Sequence, residues 1–200
     1  MVATLDSKHS IVIVAGPYGA GKTTAAPFLL RDALGVREYV NADPIAAGLS
    51  AFAPESVAIA AGRVMLGQLD ELARQRLSFG FETTLASRSI APWLRRRLAE
   101  GYAARLVFLW LASPELALAR VARRVELGGH SVPDDVVRRR YAAGLRNFFR
   151  LYRPIVSTWQ FYDNSDPPDP RLIASGEGDL TRVYHANLWA GIVRQWEAHD

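Results

Sequence analysis

The chain has 200 residues, half of them hydrophobic and 22% charged, which is the composition of one soluble domain with a single core. It contains no cysteine, so disulfides and thiolate metal sites are excluded. The first ten residues lack the apolar stretch of a signal peptide, the first strand is far too short to span a bilayer, and the net charge is only +4, so a cytoplasmic location is expected and neither a membrane nor a nucleic acid is an expected partner.

Residues 11–15 form a continuous apolar run, mostly β-branched, which predicts a strand buried on both faces. A glycine-rich turn comes next, then an Ala- and Leu-rich helix over residues 23–34 that stops at Gly35, with Pro27 in its opening turns. A second strand over residues 37–41 ends at Asp43-Pro44. A helix over residues 54–76 carries Val57, Ala61, Met65 and Leu69 near helical spacing. The third strand, 78–82, ends at Glu82-Thr83-Thr84, and a helix over 89–100 stops at Gly101. Residues 105–111 are the most apolar run and make the best central strand.

Ser113-Pro114-Glu115 has the N-cap, first-position proline and first-turn acid of a helix start. That helix carries Arg120, Arg123 and Arg124 and stops at Gly128-Gly129, and another runs from about 135 to 152. The last buried strand, 159–162, leads into Asp163-Asn164-Ser165. Residues 172–174 and 181–185 predict a small hairpin, and an amphipathic helix with Leu188, Ile192 and Trp196 closes the chain. Strands alternating with helices predict an α/β fold: three layers, a five-stranded mainly parallel sheet and a helical lid at about 115–140, in one domain spanning 1–200.

The glycine-rich turn, Gly16-Pro17-Tyr18-Gly19-Ala20-Gly21-Lys22-Thr23, fits the phosphate-loop pattern G-x-x-x-x-G-K-[ST] in its required strand–turn–helix context. Its glycines let backbone N–H groups approach phosphate oxygens, Lys22 reaches the β- and γ-phosphates, and the Thr23 hydroxyl is placed for Mg²⁺. Lys22 is one of only two lysines in the chain.

In such sheets ligands bind beyond the carboxyl ends of the strands, where Asp43, Glu82, Thr83, Asn164 and Ser165 fall. Asp43 is placed to accept a substrate proton, although Asp before Pro also opens turns. Glu82 is placed to hold Mg²⁺ through water or to bind substrate, or alternatively to cap the next element of the chain. Arg120 and Arg124, spaced i, i+4, share a helical face suited to a phosphate-binding flap; the bland alternative is a solvated face. No guanine-specificity motif N-K-x-D occurs, which disfavours a GTPase.

The ordered set of the phosphate loop through Thr24, Asn41-Ala42-Asp43, Phe81-Glu82-Thr83-Thr84 with Arg88, Arg120-Val121 with Gly128-Gly129-His130-Ser131-Val132-Pro133, and Tyr162-Asp163-Asn164-Ser165 resembles the zeta-toxin family of P-loop kinases, above all its short stand-alone members. The resemblance runs over about residues 10–175 and implies ATP- and Mg²⁺-dependent phosphorylation of a hydroxyl. Toxin members phosphorylate UDP-N-acetylglucosamine and are held by a protein antitoxin, so the implied partners are a small-molecule substrate, with a nucleotide sugar first, and an antitoxin. By the same resemblance Gly16, Tyr18, Gly19, Ala20, Gly21, Lys22, Thr23, Thr24 and Asn164 serve the nucleotide, and Thr23 and Glu82 the metal. Lys22, Asp43 and Arg120 are the implied catalytic set, Asp43 as base and Arg120 as lid arginine, and Asp43, Glu82, Thr83 and Arg88 the implied substrate residues. The chain is shorter than the toxins, and His130 stands where a second phosphate-binding arginine is expected; His130 itself or one of Arg138 to Arg140 is the substitute. A kinase of another metabolite and a nucleotide-dependent regulatory ATPase are the competing readings.

Overall fold

Alternation along the first strand decides the architecture. In β1 (His9–Ala15), Ile11, Ile13 and Ala15 enter one buried cluster and Val12 and Val14 another, so both faces of the strand are covered. The computed structural model describes residues 9–50, 54–129, 131–166 and 169–197.

β1 lies between β3 (Phe79–Thr83) and β4 (Tyr102–Trp110), with β2 (Glu38–Val40) beyond β3 and β5 (Thr158–Asp163) beyond β4. These strands are parallel, and β1 sets the register through Ile13, which stands opposite both Phe81 and Leu106. The sheet is wider than the expected five strands. β6 (Arg171–Glu177) and β7 (Leu180–Val183) continue it antiparallel, giving seven in the order β2-β3-β1-β4-β5-β6-β7. The C-terminal hairpin is therefore part of the sheet. Its seat requires a glycine: a Cβ on Gly176 would fall 2.4 Å from Nε1 of Trp159, its partner across the β5–β6 ladder.

Helices cover both faces. α3 (Ala58–Arg74), α4 (Ile90–Ala99) and α7 (Ala186–Glu197) bring Leu69, Leu94, Trp189 and Ile192 onto Phe79, Phe81, Phe108 and Phe161. Burying one such phenylalanine contributes about 1.5–3 kcal/mol. On the other face α1 (Lys22–Pro27) packs over Val12 and Val14, and α5 (Pro114–Glu126) packs over Val107 and Leu109.

α6 (Asp134–Asn147) belongs to both layers. Val137 and Tyr141 join the α5 cluster, whereas Leu145 and the following Phe148 join the opposite one. It therefore crosses the carboxyl ends of the strands, and Tyr141 Oη donates to the Leu111 carbonyl just beyond β4 at 2.6 Å.

Four helices differ from the sequence expectation. Asp43-Pro44, read as a strand-ending turn, lies in the first turn of α2 (Ala42–Leu49), because the Asn41 side chain caps it by accepting from Asp43 N at 2.9 Å. Pro44 is tolerated there since first-turn N–H groups have no intrahelical partner. The helix expected from residue 54 opens as a 3₁₀ turn, Pro54–Val57, before α3. The first and sixth helices widen into π turns at Phe28–Ala33 and Phe148–Tyr152. The missing N–H of Pro27 interrupts the α-helical ladder just before the first of these. Among the described residues no helix is long and apolar enough to cross a membrane.

Candidate active site

Local geometry builds the phosphate loop between β1 and α1. Gly16, Gly19 and Gly21 all take positive φ, at 144°, 74° and 81°. At Gly19 a side chain is also excluded by space, since its Cβ would lie 2.9 Å from Arg120 Cβ and 3.1 Å from the Ala117 carbonyl oxygen. Gly16 N donates to Thr83 O at 3.2 Å, which ties the loop to β3.

A second set of contacts fastens the loop from outside. The Asn164 amide, just after β5, donates to Ala20 O at 2.8 Å. Arg120 on α5 donates to the carbonyls of Gly19 at 3.3 Å, Asn164 at 2.9 Å and Ser165 at 2.7 Å. Its guanidinium is thus spent on backbone oxygens and staples two loops together. Arg124 lies one turn further along α5, with Arg123 exposed beside it.

Lys22 is buried and its ammonium donates to Pro17 O at 2.9 Å. Burial holds its pKa below the ordinary lysine value; the Glu82 and Asp43 carboxylates oppose that shift, and the guanidinium charges of Arg124 and Arg140 reinforce it. Both arginines therefore act electrostatically on Lys22. Tyr18, also buried, accepts a hydrogen bond from Arg140, whose guanidinium lies 5.5 Å from the Tyr18 ring centre.

Glu82, 5% exposed at the end of β3, is held from two sides. Thr23 Oγ1 lies 3.1 Å from each carboxylate oxygen, and Tyr39 Oη donates to Oε2 at 2.5 Å. Burial, then the hydrogen bond to Glu82, drives the Tyr39 phenol strongly upward, so it remains a donor. Among the described residues no group of three or more His, Asp or Glu is placed to hold a metal. The Thr23–Glu82 pair is a hard-oxygen donor set of the kind that fits Mg²⁺ completed by phosphates and water.

These groups open into a cavity of about 520 Å³ above the carboxyl ends of the strands. Lys22, Asp43 and Glu82 line it, as do Thr83 and Thr84, Ser87, Ile90 and, from α6, Arg139, Arg140, Ala143 and Arg146. A second cavity of about 370 Å³ shares Tyr18, Asp43, Arg139 and Arg140 and continues between α2, α3 and α6.

The loop from β3 to α4 forms the far wall, and the end of α6 holds it. Asn147, 3% exposed, donates to Leu85 O at 2.7 Å and Ala86 O at 3.2 Å, and Tyr152 Oη donates to Ser87 O at 2.7 Å. A Cβ on Gly144 would sit 2.3 Å from Thr84 O, so helix and loop touch backbone to backbone. Leu85 takes φ 56°, a conformation that costs a non-glycine residue about 1–3 kcal/mol and that these contacts sustain.

Of the residues singled out from the sequence, Lys22, Asp43, Glu82 and Thr83 meet at the first cavity, and Tyr18 lines both. Thr23 reaches it through Glu82, and Thr24 is exposed on α1. Arg88 is exposed and does not line either cavity. His130 lies outside the described residues. Sequence reasoning missed Tyr39, Arg146 and Asn147. Tyr39 stands opposite Gly80 in the β2–β3 ladder, hence on the face of Glu82, and only that pairing reveals it.

The fold and loop are those of a P-loop kinase. Residues 3–166 match the Zeta toxin family model, and the chain belongs to that family. A protein of Haemophilus influenzae described only as uncharacterized is 30% identical over 134 residues, 67% of this chain and 94% of the relative. Among solved structures, the AvrRxo1-ORF1:-ORF2 complex with ATP is similar with a TM-score of 0.73 at 18% identity, covering 94% of this chain and 64% of that one. The chain thus spans less than two thirds of that protein's length. A structure from the PezAT chromosomal toxin–antitoxin system of Streptococcus pneumoniae gives a TM-score of 0.65 at 18% identity, covering 96% and 86%.

Proposed function

We propose that this chain is an ATP-dependent phosphotransferase that moves the γ-phosphoryl group to a hydroxyl of a small molecule. The observation that carries the reading is the sharing of one cavity by Lys22, Asp43 and Glu82 at the mouth of the phosphate loop. Backbone N–H groups of the loop and Lys22 bind the phosphates. Thr23 and Glu82 would hold Mg²⁺, which when bound neutralises charge between the β- and γ-phosphates. Asp43, presented by the first turn of α2, accepts the proton of the acceptor hydroxyl as its oxygen bonds to phosphorus and ADP leaves. Arg140, which lines the same cavity, stabilises the charge on the transferring group.

Membership of the family makes UDP-N-acetylglucosamine the first acceptor to test and a protein antitoxin the first partner to seek. The deciding experiment measures ADP release with a panel of hydroxyl-bearing metabolites for the native chain and Asp43→Asn. An acceptor-dependent rate that falls in the variant, while binding of a non-hydrolysable ATP analogue persists, supports the reading. ATP turnover that ignores both acceptor and Asp43 would instead favour a regulatory ATPase.

A further inference from the structure

We infer that Tyr18 is a positioning residue for Arg140: its phenol holds the guanidinium over the mouth of the phosphate loop without cancelling the positive charge. This rests on the phosphotransferase reading and assigns a residue that acts, through Arg140, on the terminal phosphate.

The consecutive arginines of α6 are fixed in different ways. Arg138 pairs with Glu115 at 2.5 Å, Arg139 lies 3.5 Å from Asp135, and both are exposed. Arg140 is half-buried and lines both cavities. Among the described residues Tyr18 is its hydrogen-bond partner, and no carboxylate pairs with it. The helix fixes only the base of the side chain, through buried Val137 and Tyr141 on either side of it. A long arginine side chain loses much rotamer freedom when its tip is held, so the tip needs its own contact. Tyr18 supplies it from 122 residues away in the chain.

The chemistry of that contact matters. A carboxylate would order the guanidinium equally well but would neutralise it. Burial raises the Tyr18 pKa above its ordinary value, with the Arg140 charge opposing, so the phenol keeps its proton at neutral pH. A neutral phenol accepts one N–H through an oxygen lone pair. The guanidinium then retains its charge and its other N–H donors for an incoming oxyanion.

Tyr18 is itself firmly placed. It lies in the phosphate loop, is 8% exposed and joins the buried cluster of Ala117, Val121 and Val137. The Lys22 ammonium donates to the carbonyl of the preceding Pro17 and lies 5.8 Å from the Tyr18 ring centre, against 5.5 Å for the Arg140 guanidinium. Both cations are thus located by the same two loop residues, and each is within cation–π range of one ring. They repel one another, since the Arg140 charge helps to lower the Lys22 pKa. Held together in the free protein, they meet a terminal phosphate with little rearrangement left to make.

The test compares a non-hydrolysable ATP analogue with ADP, because the ratio of their affinities reads the terminal phosphate without any acceptor. Calorimetry with Mg²⁺ present is carried out on the native chain, Tyr18→Phe, Arg140→Met and the double variant. Tyr18→Phe keeps the ring and removes only the oxygen. It should cut the preference for the analogue over ADP by about three- to tenfold, less than the roughly 10- to 100-fold expected for loss of the Arg140 charge itself. ADP affinity should stay within about twofold, and the double variant should lose no more preference than Arg140→Met, because Tyr18 acts through Arg140. Unchanged preference in Tyr18→Phe, equal losses for ADP and analogue, or multiplying effects of the two substitutions would overturn the inference. Loss of the cooperative melt in Tyr18→Phe would also overturn it, by making Tyr18 a packing residue. Coupled losses in analogue binding without acceptor-dependent ADP release from the native chain would keep Tyr18 as the anchor of Arg140 and overturn the phosphotransferase reading.

Discussion

The phenol of Tyr39, on the short edge strand β2, donates to Oε2 of Glu82 at 2.5 Å, while Thr23 Oγ1 approaches both oxygens of the same carboxylate. A carboxylate held on both sides presents its remaining lone pairs in one direction, which is what a metal or its water shell needs. Tyr39→Phe keeps the ring and removes only the donor. It should weaken Mg²⁺ binding by about tenfold, the lower end for loss of an outer-shell partner. Titration of the protein–ADP complex with Mn²⁺, followed by electron paramagnetic resonance, reads this directly. Unchanged metal affinity would mean that the contact only secures the edge strand.

Lys22 separates nucleotide binding from folding. Its buried ammonium has a depressed pKa, so the free protein carries it at a cost. Lys22→Met should leave the melting temperature unchanged or raise it. It should also lower the affinity for a non-hydrolysable ATP analogue by about 10- to 100-fold, from loss of a charge-assisted contact. A fall in thermal stability with intact ATP affinity would make Lys22 a structural residue.

Arg120 stabilises the loop through three carbonyls, so its removal should be felt before any nucleotide arrives. Arg120→Met should lower the melting temperature of the free protein by about 5 °C, from about 2 kcal/mol of lost hydrogen bonding. ATP affinity should fall with it. A phosphate-contacting arginine would instead leave the free protein untouched and reduce only the rate.

Asn147→Leu removes two donors at nearly constant volume and leaves the Leu85 and Ala86 carbonyls without them. The cost should be about 2–3 kcal/mol in denaturant unfolding. Because the loop it grips walls the cavity shared by Asp43 and Glu82, where the proposed acceptor would bind, the KM for the acceptor should rise while ATP affinity holds. Equal effects on both ligands would show that the loss is merely global.

Asp163 carries a pH dependence. Burial alone would raise its pKa, but hydrogen bonds from the Ser165 hydroxyl, the Arg171 guanidinium and Ser165 N outweigh burial and hold it below the usual value. A carboxyl depressed in the folded state contributes stability above its unfolded pKa of about 3.9, and that stability is lost as pH falls through the folded value. Asp163→Asn should therefore destabilise the protein at neutral pH and flatten the acid limb of its stability curve. A parallel limb in the variant would assign acid sensitivity to other carboxylates.

Legibility from sequence followed the range of the interactions. The phosphate loop is a run of eight consecutive residues whose glycines, lysine and threonine act through local backbone geometry, so pattern alone located it. The parallel strands were equally plain, since burial on both faces leaves an unbroken apolar run such as 11–15. The N-cap Ser113 was legible for the same reason, its hydroxyl accepting from Leu116 N only three residues on. Helix α2 was hidden because Asp-Pro suits a turn and a first helical turn alike, and the Asn41 cap breaks that tie.

Chain alternation and motif spacing thus determined the α/β class, the phosphate loop and the carboxylates at the strand ends. Tertiary structure decided the rest. Asn164 reaches Ala20 across 144 residues, and Arg120 reaches Gly19 across 101, contacts that no local periodicity encodes. The seating of the C-terminal hairpin depends on Gly176 meeting the Trp159 indole. Arg140, Arg146 and Asn147 come to the cavity and its wall because α6 buries Tyr141 in one layer and Leu145 in the other. That crossing is fixed by the packing of two separate apolar clusters. On the isolated helix the same arginines read as an ordinary solvated face.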